Sequence, residues 1–220
     1  MQKNGSKGEK NSTDTVLNLQ SHTFRHGVHP PENKEETNKL PIRQFSFSPL
    51  IILPMQQHIG APSRIIVREG QEVLRGQLLA EANGYMSVPV HAPVSGKIRK
   101  IAKVPVISGQ MTEGIYIETF HFSGQEVIEG TPINLETATP EQILKGIQDA
   151  GIVGLGGAAF PTHVKLKIPE GKVCDHLIIN GIECEPYLTT DHRVMLEQAN
   201  DIYMGIRYLI KATGAKEVII

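Results

Sequence analysis

The sequence is poor in the residues that several common chemistries need. It has two cysteines, Cys174 and Cys184, in 220 residues. That is too few for a disulfide scaffold, and free thiols in a reducing compartment are the simplest expectation. A standard iron–sulfur cluster takes four cysteine ligands, so these residues alone do not build one. Charge of either sign is not in excess: the formal net charge is -1. A general nucleic-acid binder, which needs a basic surface to neutralise phosphates, is thereby disfavoured. No apolar run approaches the roughly 18 residues of a membrane span; the longest, Pro49 to Met55, has the length of a strand. The opening segment MQKNGSKGEKNSTDTVLNLQ has lysines but no apolar stretch behind them, so no secretory signal is expected. What is present is 40% hydrophobic residues and length enough for one large or two small domains.

Four segments differ in texture. Residues 1–20 form a polar tail, expected to be flexible. Residues 21–49 carry prolines at 30, 31, 41 and 49 and the charged stretch ENKEE, and are expected to form an extended arm that wraps something rather than a domain. Residues 50–130 have an all-β texture. Glycines punctuate short β-branched runs, as in Ile65-Ile66-Val67, Glu72-Val73-Leu74 and Gln77-Leu78-Leu79. SVPVHAPVSGKIRKI alternates apolar and polar residues around a turn at Ser95-Gly96, and GIYIETFHF follows.

Residues 139–220 switch to alternating helices and strands. Thr139-Pro140-Glu141-Gln142 is a capping box with proline in the first helical position. Ile143, Leu144, Ile147 and Ala150 then form one apolar face, and Gly151 stops the helix. His176 to Asn180 has the pattern of a buried strand. Met195, Ala199, Ile202, Ile206 and Leu209 recur at the spacing of one helix, with Gly214 at its C-terminus. Glu217-Val218-Ile219-Ile220 begins a further strand. A parallel sheet needs partners on such a strand, so the chain is expected to be a fragment of a longer protein.

The pattern EGQEV, GQ-x-L-x-E and APVSGKI resembles the biotinyl/lipoyl barrel-sandwich fold. Carrier domains of that kind place a modifiable lysine at a hairpin tip about five residues before a V-x-A-P stretch. Here that stretch is Val90-His91-Ala92-Pro93, and the position holds Tyr85 within Asn83-Gly84-Tyr85. Asn-Gly favours a tight hairpin turn. Tyrosine cannot form the amide link, so the fold is expected without a prosthetic group.

Two loops are candidates for chemistry. Gly154, Gly156 and Gly157 allow close approach of a ligand to the backbone. Pro161 starts a short helix whose N–H groups could face a phosphate, and Lys165 adds charge. The loop lacks the G-K-[ST] ending of a P-loop and follows a helix rather than a strand, so it is not the dinucleotide fingerprint either. By itself a tight turn is the simpler explanation. The second loop follows the strand HLIIN and carries Asn180, Glu183, Glu185 and Asp191. Ligands of open α/β sheets sit at the carboxyl ends of strands. Three carboxylates there could hold ribityl or ribose hydroxyls, or could form a solvated acidic loop.

Taken together, GIVGLGGAAFPTHVKL and IINGIECEPYLTTDHRVM resemble the flavin domain of the RnfC family, from the Rnf ion-translocating electron transport complex. More distantly they resemble the flavin subunit of respiratory complex I. HGVHPPENK at 26–34 is similar to the N-terminal signature of the RnfC family, and the resemblance covers residues 24–220. It implies a mixed α+β / α/β chain: a lipoyl-like barrel-sandwich domain, then the start of a Rossmann-like flavin-binding domain. It implies an NADH-oxidising subunit with non-covalent FMN. Gly154, Gly156, Gly157, Lys165, Asn180 and Asp191 match positions at FMN, Phe160 matches an aromatic of the same loop, and Glu183 and Glu185 match positions facing FMN or NADH. Two [4Fe–4S] clusters are expected beyond Ile220. Where the family often has cysteine this chain has Thr190, so no redox role attaches there. The implied partners are the other subunits of the membrane complex, NAD(H), and ferredoxin through the complex. The implied place is peripheral, on the cytoplasmic face of the bacterial cell membrane. Hydride chemistry belongs to the cofactors, so no catalytic acid or base is assigned. A flavin and iron–sulfur cobalamin reductase is an alternative, disfavoured because 150 residues precede the glycine loop. A scaffold subunit that kept the fold and lost the cofactor is another, opposed by the intact loop motifs.

The remaining candidates are read as structural. His22, His26 and His29 have a spacing that suggests a metal site, but Pro30-Pro31 follows them and no acid or cysteine completes the set. Cys184 is expected to pack near the site, and His91 and His163 to serve as hydrogen-bonding residues.

Overall fold

Short β-branched runs separated by glycine build the first half of the molecule. In the computed structural model, which describes residues 27–155 and 157–220, seven strands precede the first helix. They are β1 (Leu50–Pro54), β2 (Arg64–Ile65), β3 (Glu72–Val73), β4 (Leu78–Glu81), β5 (Val90–His91), β6 (Gly96–Pro105) and β7 (Met111–Thr119). They form two antiparallel sheets, of order β1-β7-β6-β3 and β2-β4-β5. The central hairpin β6–β7 pairs from Gly96↔Thr119 to Pro105↔Met111, and Gly109, with φ 80, closes its turn. Period-2 alternation decides which side chains enter the core. Ile115 and Ile117 point inward and are fully buried, while Tyr116 between them points outward under the Lys100 ammonium, 4.2 Å from its ring centre. Met55, Val73, Leu79, Val94 and Ile98 complete the core from the other strands and their connections.

Gly96 is required by space. A Cβ there would lie 2.2 Å from the Glu118 carbonyl oxygen across the hairpin. The turn expected at Ser95-Gly96 is therefore the entry to β6. The hairpin expected at Asn83-Gly84 is wider than a two-residue turn: residues 82–89 join β4 to β5. Ser63 Oγ donates to Val88 O (2.7 Å), and Ser87 Oγ to Ala61 O (2.9 Å). These bonds spread the connection into a loop that lies on the segment leading into β2. The β texture also ends earlier than expected, at Thr119. Residues 120–139 contain no strand and are tied down by Gln125, whose buried amide bonds Ser95 N–H (2.7 Å), Ser95 O (3.0 Å) and Phe120 O (3.1 Å).

The second half comprises α1 (Pro140–Asp149), α2 (Thr162–Leu166), β8 (His176–Ile178), α3 (Thr190–Glu197), α4 (Ala199–Thr213) and β9 (Glu217–Ile219). The capping box of α1 is present in both directions, with Gln142 N–H to Thr139 Oγ1 at 3.3 Å and Thr139 N–H to Gln142 Oε1 at 2.8 Å. Ile143 is buried, Leu144 and Ile147 are half-buried, and Ala150, expected on the same face, is exposed at the C-cap. Ile143 packs with Ala138 and Ala212, flanked by Ile133, Leu135 and Tyr208. Tyr208 Oη donates to Ile133 O at 2.8 Å, fastening the segment before α1 to α4.

Three expectations change here. The single helix expected over 195–209 is two, broken at Gln198, whose φ of -125 and ψ of 32 lie outside the helical region. Asn200 and Asp201, poor interior residues, stand in the first turn of the new helix. The strand expected over 176–180 forms only over 176–178, its burial alternates, and Ile178 is 70% exposed. Its sheet has one other strand among the described residues, β9, parallel to it with Leu177 opposite Val218. Cys184, expected to pack, is exposed, and Cys174 is half-buried. Gly214 ends α4 in the left-handed conformation, as its position suggests.

The halves meet through the β4–β5 loop and the β1–β2 connection. Tyr85 O lies 2.8 Å from His163 Nε2 on α2, Gln148 of α1 donates to Ser87 O (3.1 Å), and Ile59 N–H reaches Ala159 O (3.4 Å). The loop tip that would carry a lysine in a carrier domain is here a joint.

Candidate functional site

The glycine loop is closed at its base. Val153 and Pro161 form an isolated bridge, Gly154 N–H donates to Phe160 O (3.0 Å), and Thr162 N–H to Ile152 O (3.1 Å). Between these bonds the chain bulges outward, with Leu155 89% exposed and Ala159 in the left-handed region at φ 51. Gly156 lies outside the described residues. The one-turn helix α2 turns His163 and Leu166 inward, both buried, and Lys165 outward. Lys165 Nζ comes to 3.7 Å from where a Cβ on Gly154 would stand. Gly154, Phe160 and Lys165 are thus brought together. Neither Gly154 nor Gly157 has a positive φ, and a Cβ on Gly157 would meet no protein atom within 4 Å. Chain packing and backbone conformation do not demand glycine at either position. Open space, exposed backbone and a flanking ammonium fit a phosphate-bearing, flat ligand such as FMN.

The acidic loop begins as β8 ends. Asn180 Oδ1 accepts from Ile182 N–H at 3.0 Å, a local turn that directs the chain out of the strand. Glu183 Oε1 accepts from His192 N–H at 3.1 Å. Because Thr189 makes no capping bond, Glu183 takes over satisfaction of a free N–H in the first turn of α3. One of its oxygens is therefore engaged within the protein. Asp191 stands in that same first turn, where the helix dipole favours negative charge. Glu185 is exposed. Glu183 and Asp191 meet at the α3 entrance, while Asn180 stands at the turn out of β8. Among the described residues, no hydrogen bond or ion pair links the predicted members of this group to those of the glycine loop.

The acidic loop has a further partner that its own residues do not announce. The N-terminal arm runs along it. Lys34 Nζ donates to Leu188 O (2.7 Å) and Glu185 O (3.3 Å), Thr37 Oγ1 to Tyr187 O (3.1 Å), and Tyr187 N–H to Glu32 O (2.8 Å). Further along, Arg193 donates to Asn38 O (3.2 Å) and Ile42 N–H to both Glu197 oxygens (3.0 and 3.2 Å). The Arg193 guanidinium, with help from Ile42 N–H, holds the Glu197 carboxyl below its usual range. The signal in the sequence is HPPENK, which ends on Lys34.

Histidines concentrate at the joint between the halves. His58 is buried, accepts Val88 N–H at Nε2 (3.3 Å), and titrates below its ordinary value chiefly through burial, against a bond to the Ala61 backbone and with His163 adding to the depression. His91 is likewise lowered by burial, opposed by the Asp149 charge. His163 Nδ1 is buried without a hydrogen-bond partner. Of the three N-terminal histidines, His22 and His26 lie outside the described residues. A groove of about 1060 Å³ runs between the barrel and α1, lined in part by His91, Lys145 and Asp149. Among the described residues, none of the predicted cofactor residues borders it. Among the described residues no helix is long and apolar enough to cross a membrane.

Family comparison agrees with this layout. Residues 22–121 match the RnfC barrel sandwich hybrid domain, and residues 147–220 match the Nuo51 FMN-binding domain. The chain is 43% identical over 207 residues to the C-subunit of the Na(+)-translocating ferredoxin:NAD(+) oxidoreductase complex of Acetobacterium woodii, covering 91% of this chain and 45% of that one. It is 41% identical over 201 residues to the C-subunit of the ion-translocating oxidoreductase complex of Haemophilus influenzae, covering 90% and 30%. It is 38% identical over 200 residues to the C-subunit of the proton-translocating ferredoxin:NAD(+) oxidoreductase complex of Clostridium ljungdahlii, covering 90% and 43%. The chain thus spans less than half the length of these relatives. With a barrel sandwich matching one family, a glycine loop and acidic loop inside the other match, and relatives aligned along nine tenths of its length, the chain belongs to the RnfC family.

Proposed function

We propose that this chain is the FMN- and NADH-binding part of a peripheral subunit in a membrane-bound, ion-translocating ferredoxin:NAD oxidoreductase complex. The observation that carries the reading is the open loop in which Lys165 Nζ stands beside Gly154, with glycines that the fold itself does not require. The lysine and the loop N–H groups offer charge-assisted hydrogen bonds to a phosphate. Gly154, Gly156 and Gly157 give a flat ring access to the backbone, and Phe160 borders the same loop. Asn180 and Asp191 bind polar groups of the flavin, and Glu183, through its second oxygen, and Glu185 bind flavin or nicotinamide nucleotide. Bound FMN supplies hydride acceptance from NADH and release of electrons one at a time, and the protein supplies placement. Two [4Fe–4S] clusters held outside the present chain would take those electrons in the full-length protein, with ferredoxin and the membrane subunits as onward partners at the cytoplasmic face.

The test is the visible spectrum of the full-length protein with and without NADH. A flavin band that bleaches on NADH addition is expected. Its absence even after reconstitution with FMN would sink the reading and leave a cofactor-free scaffold. Lys165→Ala is expected to weaken FMN retention about tenfold or more, the scale of one charged hydrogen bond, with the melting temperature of the FMN-free protein unchanged because Lys165 is exposed.

A further inference from the structure

We infer that the N-terminal arm is a clamp that sets the conformation of the acidic loop, with Lys34 as its positioning residue. The inference rests on the reading that this loop helps hold the flavin or nucleotide. Its basis is Tyr187, which adopts φ 68 although it is not glycine and is 63% exposed. Bulky residues do not choose the left-handed region unaided, and side-chain burial does not hold this one there. The arm grips it from both sides. Glu32 O takes its N–H (2.8 Å) and Thr37 Oγ1 donates to its carbonyl (3.1 Å). Lys34 Nζ then bridges the carbonyls of Glu185 (3.3 Å) and Leu188 (2.7 Å), which flank the strained residue.

All four bonds end on loop backbone, so none consumes the carboxylate of Glu185. The arm thereby fixes where residues 183–188 run while leaving their acids available. One cation bridging two carbonyls across a left-handed residue is a stronger constraint than a neutral bond to either. Beyond the loop, Asn38 and Ile42 continue the seam onto Arg193 and Glu197 of α3, so the arm is fastened along the helix into which the loop leads.

The experiment uses the full-length protein and two readouts: backbone hydrogen exchange in residues 183–191, and FMN affinity by flavin fluorescence. Lys34→Met keeps the length of the side chain and removes the charge. It is expected to speed exchange in that segment about tenfold and weaken FMN about tenfold, with exchange at Ile115 and Ile117 in the barrel unchanged. Thr37→Val, which removes one bond, should do the same more mildly. Tyr187→Asn, a residue that tolerates the left-handed region, should recover part of both losses in the Lys34→Met background. Unchanged exchange in 183–191, faster exchange with FMN affinity unchanged, or no recovery with Tyr187→Asn would each overturn the clamp. If the parent protein fails to bind FMN, the functional reading falls and exchange alone decides: acceleration supports the clamp and no change overturns it.

Discussion

His163 and Tyr85 meet twice: His163 Nε2 lies 2.8 Å from Tyr85 O, and their rings pack edge to face with centroids 5.6 Å apart. The pair joins the barrel loop to the helix that follows the glycine loop, and the Lys167 ammonium lies 5.3 Å from the Tyr85 ring centre. Removing the ring with Tyr85→Ala should cost about 1 kcal/mol, the scale of an aromatic pair. Tyr85→Phe keeps ring and backbone and should stay within about 0.5 kcal/mol of the parent. Urea denaturation midpoints of the two variants check this.

Acidification should loosen the same joint. His58 is held neutral by burial, and its folded pKa lies below the ordinary histidine value of 6.5. The unfolded chain therefore binds a proton before the folded one does. Stability is complete above about pH 6.5 and falls as pH drops below it, toward the depressed folded value. His91 acts in the same direction. Protonated His58 would also lose its Val88 N–H bond. The expected outcome is a lower denaturation midpoint at about pH 5 than at about pH 7.5, with a smaller difference in His58→Gln.

Gln125 should prove a sensitive position. Its amide is buried, its backbone sits at φ 51, and it satisfies both backbone groups of Ser95. Gln125→Ala leaves Ser95 N–H without that partner inside the protein, a cost of about 2 kcal/mol. Residues 120–128 should then become the first cut by limited proteolysis.

The capping box of α1 gives a calibration point. Thr139→Ala removes the side-chain half of a reciprocal pair and should cost about 1 kcal/mol, whereas Thr139→Ser should be close to neutral. Thermal melts at fixed pH distinguish the two.

Local signals were the legible ones. Thr139 to Gln142, Gly151 and Gly214 announce helix ends through capping chemistry, which needs only neighbouring residues. The all-β texture was legible because glycine and β-branched residues alternate at turn spacing, whereas the barrel sandwich was legible only through the resemblance of EGQEV and APVSGKI to the biotinyl/lipoyl pattern. The break at Gln198 was not, because Met195, Ala199 and Ile202 keep a helical period straight through it, and only the backbone angles separate two helices from one. Burial of His176 to Asn180 was overestimated for a related reason: apolar composition marks a strand suited to a covered sheet, and Ile178 is uncovered beside its partner strand. At the site, residue types were legible but engagements were not. That Glu183 spends an oxygen on His192, nine residues on, depends on how the loop folds back onto α3, and that Lys34 reaches Leu188 depends on a contact between distant parts of the chain.

The seam between arm and acidic loop sets an order of events during synthesis. Lys34 and Leu188 are separated by 154 positions, so the arm leaves the ribosome on the order of ten seconds before its partner exists. The barrel strands can pair in that interval, since β1 needs only β7. The earliest-made described segment is therefore among the last to dock. Its seating reports that the acidic loop has been made and shaped, and a bulky fusion attached just ahead of the arm should slow that final step more than the closing of the barrel.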